Sequence, residues 1–132
     1  MKIGTEIKAK NFVIAVGGRP KYPTEDETSG PLKELCITSD DLFWMDKHPG
    51  RTLVLGGGYI AIECAGFLKE LGGDVTLVNR SNFLRVFDQG AAEKVKEEFG
   101  LMGIRTSEHT RIVSVEKSAD RKKVVMEIKA TG

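Results

Sequence analysis

The densest apolar stretch of the chain, Leu53 to Leu68, is broken by three consecutive glycines, Gly56, Gly57 and Gly58, and by Glu63. Before the glycines, Leu53-Val54-Leu55 is short, continuous and aliphatic, which predicts a buried strand. After them, residues Tyr59 to Leu71 have helical spacing, with Ile60, Cys64, Phe67, Leu68 and Leu71 on an apolar side. The run Asp74 to Asn79 reads as a second strand, and a helix is expected from Gln89 to Met102 with Asp88 as its N-cap. Ile104 to Ser107, Arg111 to Glu116 and Val124 to Lys129 read as further strands. The last two form a hairpin whose polar tip is the basic stretch Lys117 to Lys123.

Upstream of this unit the pattern is looser. Ile3 to Lys8 and Asn11 to Val16 read as two strands, ending at Gly17-Gly18-Arg19-Pro20. A polar loop rich in Pro, Glu, Asp and Thr follows to about Lys33, with turn signals at Pro23 and Ser29-Gly30-Pro31. Thr38-Ser39-Asp40-Asp41 has capping-box spacing, so a short helix carrying Leu42, Phe43 and Trp44 is expected, with its aromatics in the core. The order of elements gives a βαβ unit with right-handed crossover, a second helix, another parallel strand and a terminal meander. The fold class is α/β.

At 132 residues the chain suits about one domain, burying on the order of two thirds of its unfolded surface. With 20 basic and 19 acidic side chains the net charge is +1, so no global field favours nucleic acid. No apolar stretch approaches the roughly 20 residues of a membrane helix. The N-terminus, mixing Lys, Thr and Glu, does not resemble a signal peptide, and a soluble protein is expected. Cys36 and Cys64 have neither C-x-x-C nor zinc spacing; Cys64 reads as a buried inert thiol, whereas Cys36 lies in a loop-to-strand context. His48 precedes a Pro-Gly turn and His109 lies between polar runs, neither with ligand company. No metal site and no catalytic constellation is expected.

The glycine junction changes this picture. Gly56 to Ala61 fits G-x-G-x-x-A, in which Gly56 permits a tight turn, Gly58 allows backbone to approach a pyrophosphate, and the small Ala61 lets helix pack on strand. The helix N-terminus then offers unpaired N–H groups and a partial positive charge to phosphates. NAD sites of this kind usually carry Asp or Glu about 20 residues on, accepting from the ribose 2′-OH. Here the second strand is followed instead by Arg80, Ser81 and Arg85. A carboxylate repels a 2′-phosphate, whereas guanidinium groups bind it with paired charge-assisted bonds, so the expected nucleotide is NADPH. The plainer alternative is that Arg80 and Arg85 are solvated loop charges.

Four blocks in order, Asn11 to Pro20, Ile37 to Trp44, Gly56 to Gly66, and Arg80-Ser81 with Leu84 to Gln89, resemble the pyridine nucleotide-disulfide oxidoreductases over nearly the whole chain. Within that family the chain is most similar to the large flavin-dependent thioredoxin reductases of animals, with glutathione reductase next. The Gly56-Gly57-Gly58-Tyr59 junction is closer to the glutathione reductase form, while Ile37 to Trp44 and Arg80 to Gln89 favour thioredoxin reductase.

The resemblance implies NADPH contacts at Gly56, Gly57, Gly58, Tyr59, Ile60, Glu63, Arg80, Ser81 and Arg85. Tyr59 matches a tyrosine that covers the nicotinamide pocket and Glu63 an acid near the nicotinamide amide; otherwise they read as a half-buried aromatic and a solvated first-turn acid. Gly17, Gly18 and Ser39 match positions on the FAD side. Residues 1–30 would be the tail of an FAD-binding domain and its linker, and residues 31–132 a truncated NADPH-binding domain. The family's own FAD glycine motif, C-x-x-x-x-C redox pair and catalytic His are missing from this sequence, so it is expected to be a fragment, incomplete at both ends and inactive alone. The complete protein would pass electrons from NADPH through FAD to thioredoxin or another disulfide, act as a homodimer, and reside in cytoplasm or mitochondria. It would contribute to cell redox homeostasis. A glutathione reductase fragment and a non-catalytic stand-alone nucleotide-binding module remain the alternatives.

Overall fold

The computed structural model describes residues 4–129. Two short helices, α1 (Leu32–Leu35) and α2 (Ser39–Leu42), precede a βαβαβ series: β1 (Arg51–Leu55), α3 (Tyr59–Glu70), β2 (Asp74–Val78), α4 (Gln89–Leu101) and β3 (Arg105–Ser107). The chain then forms a hairpin of β4 (Thr110–Ser118) and β5 (Arg121–Ile128). β1, β2 and β3 make a parallel sheet in that order, with Leu53 beside Thr76, Leu55 beside Val78, and Val78 beside Ser107. The hairpin is antiparallel, with its register shifting between Ile112 and Ser114.

β2 is the central strand, and its side chains explain the layering. Successive strand residues face opposite sides of a sheet. Val75 and Leu77 pack with Ala65 and Leu68 of α3, Phe99 of α4, Phe83 and Ile104. Val78 joins Leu32 and Leu35 of α1 and Ile112 and Val115 of β4 on the other side. Val75, Leu77 and Val78 are all fully buried, as a strand covered on both faces must be. Asp88 caps α4, its Oδ1 accepting from Ala91 N–H at 2.8 Å.

The polar linker is hydrogen-bonded to β4 at Thr28 and Ser29. Ser29 N–H donates to Val113 O at 2.9 Å, Val115 N–H donates to Ser29 O at 3.0 Å, and the Thr28 hydroxyl donates to Ile112 O at 2.9 Å. The linker therefore meets the free edge of β4 at one parallel bridge, Ser29 beside Ser114, and covers the edge there. The α1 turn within it has no strong helix signature, since Pro31 brings no side-chain cap; burial of Leu32 and Leu35 against β4 holds it in place.

Three expectations are corrected. The segments expected as strands at 3–8 and 11–16 are not strands: residues 4–20 have no regular structure, and Ile3 lies outside the described residues. A strand needs a partner edge, and among the described residues none pairs with this segment; Val13 is 91% and Val16 89% exposed. Phe43 and Trp44 are not core residues either, at 74% and 84% exposure, although Phe43 lies 5.5 Å from the Phe67 ring. α2 ends at Leu42, whose side chain packs against the main core, so the two aromatics fall beyond the last residue that faces inward. Ile60 and Leu71 are exposed rather than buried beside Cys64, because the face of α3 against the sheet runs through Cys64, Ala65 and Leu68.

Candidate nucleotide site

β1 and β2 end side by side, so the loops that leave their carboxyl ends meet. In open parallel sheets this is the edge at which ligands bind. Gly56 N–H continues the ladder by donating to Val78 O at 2.9 Å. The backbone then turns at Gly56 with φ +145°, a conformation that side chains rarely allow, and an added Cβ would lie 3.1 Å from that of Ala61. The small residues at both positions are what let α3 start this close to β1.

Gly57 is constrained by a different neighbour. A Cβ there would fall inside the Asn79 side chain, so the glycine loop rests directly on the first residue after β2. Leu84 N–H also donates to Gly57 O at 2.7 Å, joining the glycine loop to the loop that carries the arginines. At Gly58 the reverse holds: an added Cβ would meet nothing within 4 Å, leaving open space in front of α3. Gly58 supplies no side-chain cap, and Ile62 N–H is the amide that bonds back to Gly58 O, at 3.2 Å. The amides of the first turn thus point outward beside the arginine loop, with the positive end of the 12-residue helix dipole behind them.

The arginine loop is held from three sides. Asn79, 8% exposed, donates through Nδ2 to Ser81 O at 2.8 Å and Asn82 O at 3.0 Å. Its main chain bridges to the β3–β4 turn, with Asn79 N–H donating to Ser107 O and Thr110 N–H donating to Asn79 O, both at 2.9 Å. Farther along, Glu108 accepts from Phe83 N–H at 2.8 Å and from the Lys96 ammonium at 2.7 Å. Burial pushes the Glu108 carboxyl up, but the Lys96 hydrogen bond and the Phe83 N–H outweigh it and hold it below the ordinary carboxylate value.

Arg80 and Arg85 are both exposed. Arg80 does not hang free, for its guanidinium Nη1 lies 2.5 Å from Glu27 Oε1 on the linker. That hydrogen bond is the main reason the Glu27 carboxyl sits below its ordinary value. Among the described residues Arg85 forms no ion pair. Tyr59, Ile60 and Glu63 lie on the exposed face of α3. The structure therefore brings Gly56, Gly57, Gly58, Tyr59 and Ile60 to one side of an open edge and Arg80, Ser81 and Arg85 to the other, with Glu63 one turn along α3.

The residues expected on a flavin side are less gathered. Gly17 and Gly18 lie in the unpaired segment, where an added Cβ at either would meet nothing within 4 Å. The segment is nonetheless attached to α2, because Arg19 pairs with Asp40 at 2.8 Å. Arg19, Ser39, Asp40, Phe43, Trp44 and Ile60 line an open hollow there. Cys36 is half-buried and Cys64 buried, both free thiols, and burial raises both above the ordinary thiol value. Among the described residues there is no cluster of metal-ligating side chains, and no helix is long and apolar enough to cross a membrane.

The sequence singled out the glycines and arginines that the fold brings to this edge, but not Asn79, Glu27 and Glu108, which bond to their loops. Asn79 had a signal, since a polar residue closing an otherwise buried strand needs internal partners. Glu27 and Glu108 had none, because their partners lie 53 and 25 positions away.

A family model described as pyridine nucleotide-disulphide oxidoreductase matches residues 2–131. The chain belongs to that family. Over 99 residues, 73% of this chain, it is 52% identical to a thioredoxin reductase of Plasmodium falciparum. Over 120 residues, 89% of this chain, it is 43% identical to the thioredoxin reductase SEP1 of Emiliania huxleyi. These stretches are 18% and 23% of the relatives, so the chain spans about a fifth of their length. Among solved structures, LpdA of Mycobacterium tuberculosis is similar over 64% of this chain and 19% of its own, with TM-score 0.57 and 30% identity. An engineered water-forming NADPH oxidase bound to NADPH is similar over 83% of this chain and 25% of its own, with TM-score 0.62 and 24% identity. These likenesses agree with the α/β fold read from the sequence.

Proposed function

We propose that this chain is the NADPH-holding portion of a thioredoxin-disulfide reductase, residues 31–132 forming the nucleotide domain and residues 1–30 the tail of a flavin domain. The observation that carries the reading is the meeting of an uncapped, glycine-led helix start with a basic stretch, residues 80–85, that contains no carboxylate, at the carboxyl edge of a parallel sheet. The N–H groups at the start of α3 suit a pyrophosphate, and no atom lies within 4 Å of where a Gly58 side chain would start. Arg80, Ser81 and Arg85 suit a 2′-phosphate, for which the Glu27 carboxylate on Arg80 is a chemical stand-in. Tyr59 and Glu63, on the open face of α3, would lie along the nicotinamide half, with Ile60 beneath it.

The engineered NADPH oxidase supports the nucleotide choice. Its parent is a Lactobacillus brevis oxidase bound to NADH, and the engineered form loses an Asp, gains an Arg-Ser pair directly after it, and gains an Ala eighteen positions before it. This chain has Ala61, Asn79, Arg80 and Ser81 at the same spacings, with no acid at the Asp position. The engineered form's further Arg falls one position later than Arg85 does here.

When bound, the nucleotide supplies a hydride; these residues bind, orient and select it. The acceptor flavin would lie toward Gly17, Gly18 and Ser39, and a thioredoxin-type disulfide and a second subunit belong to the complete protein. The thioredoxin reductases of Plasmodium falciparum and Emiliania huxleyi support that substrate over glutathione. Titrating isotope-labelled full chain with NADPH tests the location. Amide resonances of residues 57–60 and 79–85 should shift, and those of β5 should not. Shifts confined to the hairpin would refute the site.

A further inference from the structure

The position that holds a ribose-binding acid in NAD sites is taken here by Asn79, and its side chain does not face the open edge. It is turned inward, 8% exposed, with Nδ2 donating to the carbonyl oxygens of Ser81 and Asn82. On its other side it fills the space that a Cβ of Gly57 would need. Its own N–H and C=O are bonded to Ser107 O and Thr110 N–H. Asn79 is thus a junction of three loops, of which two form the proposed nucleotide site.

We propose that Asn79 is a positioning residue that sets nucleotide selectivity, by folding the Arg80–Arg85 loop over its inward-turned amide. The inference rests on the NADPH reading above. Only a side chain with two N–H donors at this length can satisfy both carbonyl oxygens. An Asp places a carboxylate against the same two oxygens, which repel it. The carboxylate must then turn toward the open edge, where it takes Arg80 as a partner and repels a 2′-phosphate. A Leu of similar volume removes the donors without adding charge. It leaves Ser81 O and Asn82 O without their donor and frees the loop, while the amides of α3 that face the pyrophosphate are untouched. Loss of order in this loop weakens NADPH more than NADH, because only the 2′-phosphate uses Arg80 and Arg85.

The experiment compares affinities for NADPH and NADH on the full chain, for wild type, Asn79→Leu and Asn79→Asp, with far-UV circular dichroism and melting for each. The expected wild-type preference for NADPH falls by about tenfold in Asn79→Leu, the loss of two neutral hydrogen bonds of modest net strength. It falls further in Asn79→Asp, which binds NADH at least as well as the wild type does. A wild-type preference that survives within twofold in both variants overturns the role of Asn79 and leaves the nucleotide reading standing. Equal wild-type affinity for the two nucleotides overturns both. Should either variant fail to fold, exchange of the Asn79 side-chain NH2 protons in the unliganded wild type decides the matter. Slow exchange supports the inward amide, and exchange as fast as that of an exposed asparagine overturns it.

Discussion

Removing the Glu108 carboxylate should loosen the arginine loop from its far end. Glu108→Ala deletes the acceptor of Phe83 N–H, a 2.8 Å bond beside a ring that is 4% exposed and part of the main core. A hydrogen bond to a charged acceptor contributes about 1.5–3 kcal/mol. The Lys96 contact at 2.7 Å adds less, since Lys96 is a third exposed and Glu108 a fifth, so solvent screening limits it to about 1 kcal/mol or below. The expected destabilisation at neutral pH is therefore about 2–4 kcal/mol, a fall in Tm of roughly 5–15 °C. Lys96→Met, which keeps the Phe83 bond, should cost less than about 1 kcal/mol. Trp44 is exposed and reports little on the core, so urea unfolding is best followed by far-UV circular dichroism. The Glu108 carboxyl is held below its ordinary value, so its contribution is present above the unfolded-state value of 4.5 and is lost as pH falls through the lower folded value. The gap between wild type and Glu108→Ala should accordingly shrink on the acid side. Equal costs for Glu108→Ala and Lys96→Met, or a gap unchanged down to the acid limb, would refute the assignment of the Phe83 bond as the larger part.

Other substitutions probe the site and its supports. Gly57→Ala puts a methyl group where Asn79 lies, and should cost about 2–4 kcal/mol through overpacking and broken loop hydrogen bonds, read by chemical denaturation; a neutral result would mean the two loops are not in contact. Glu27→Gln removes a carboxylate that competes for Arg80, so NADPH should bind about twofold more tightly at neutral pH, with the advantage fading as pH falls through the lowered Glu27 value; weaker binding would make Glu27 a support of Arg80 instead. Asp88→Ala removes the α4 cap and should cost about 0.5–2 kcal/mol by the same assay. Purified chain with NADPH should not reduce a model disulfide, because Cys36 and Cys64 are separate thiols whose burial disfavours the thiolate.

The parallel sheet and both long helices were legible because β2 is buried on both faces and α3 and α4 follow helical spacing, signals that act within a few residues. Residues 4–8 and 11–16 were misread for the complementary reason. The unbroken apolar run Phe12 to Val16 predicts a strand, but a strand exists only against a partner edge, which is a property of the assembly of elements and not of the segment. Trp44 was misplaced because a helix of four residues has too few turns to define which face is inward. In the site, Gly56, Gly58, Arg80 and Arg85 carry their chemistry in their residue types and their distance from a strand end. Asn79, Glu27 and Glu108 act through bonds to partners that only the fold brings near, and Asn79 alone betrayed itself, as a polar residue ending a buried strand.

The central claim is that the loops after β1 and β2 together select a nucleotide with a 2′-phosphate. Calorimetric titration of the full chain with NADPH and with NADH, in wild type and Arg80→Ala, tests it most directly. The account predicts tighter binding of NADPH by the wild type, and an Arg80→Ala variant that loses about 1.5–3 kcal/mol of NADPH affinity while NADH is unchanged. Equal affinity of the wild type for the two nucleotides, or an equal loss for both in Arg80→Ala, would contradict it.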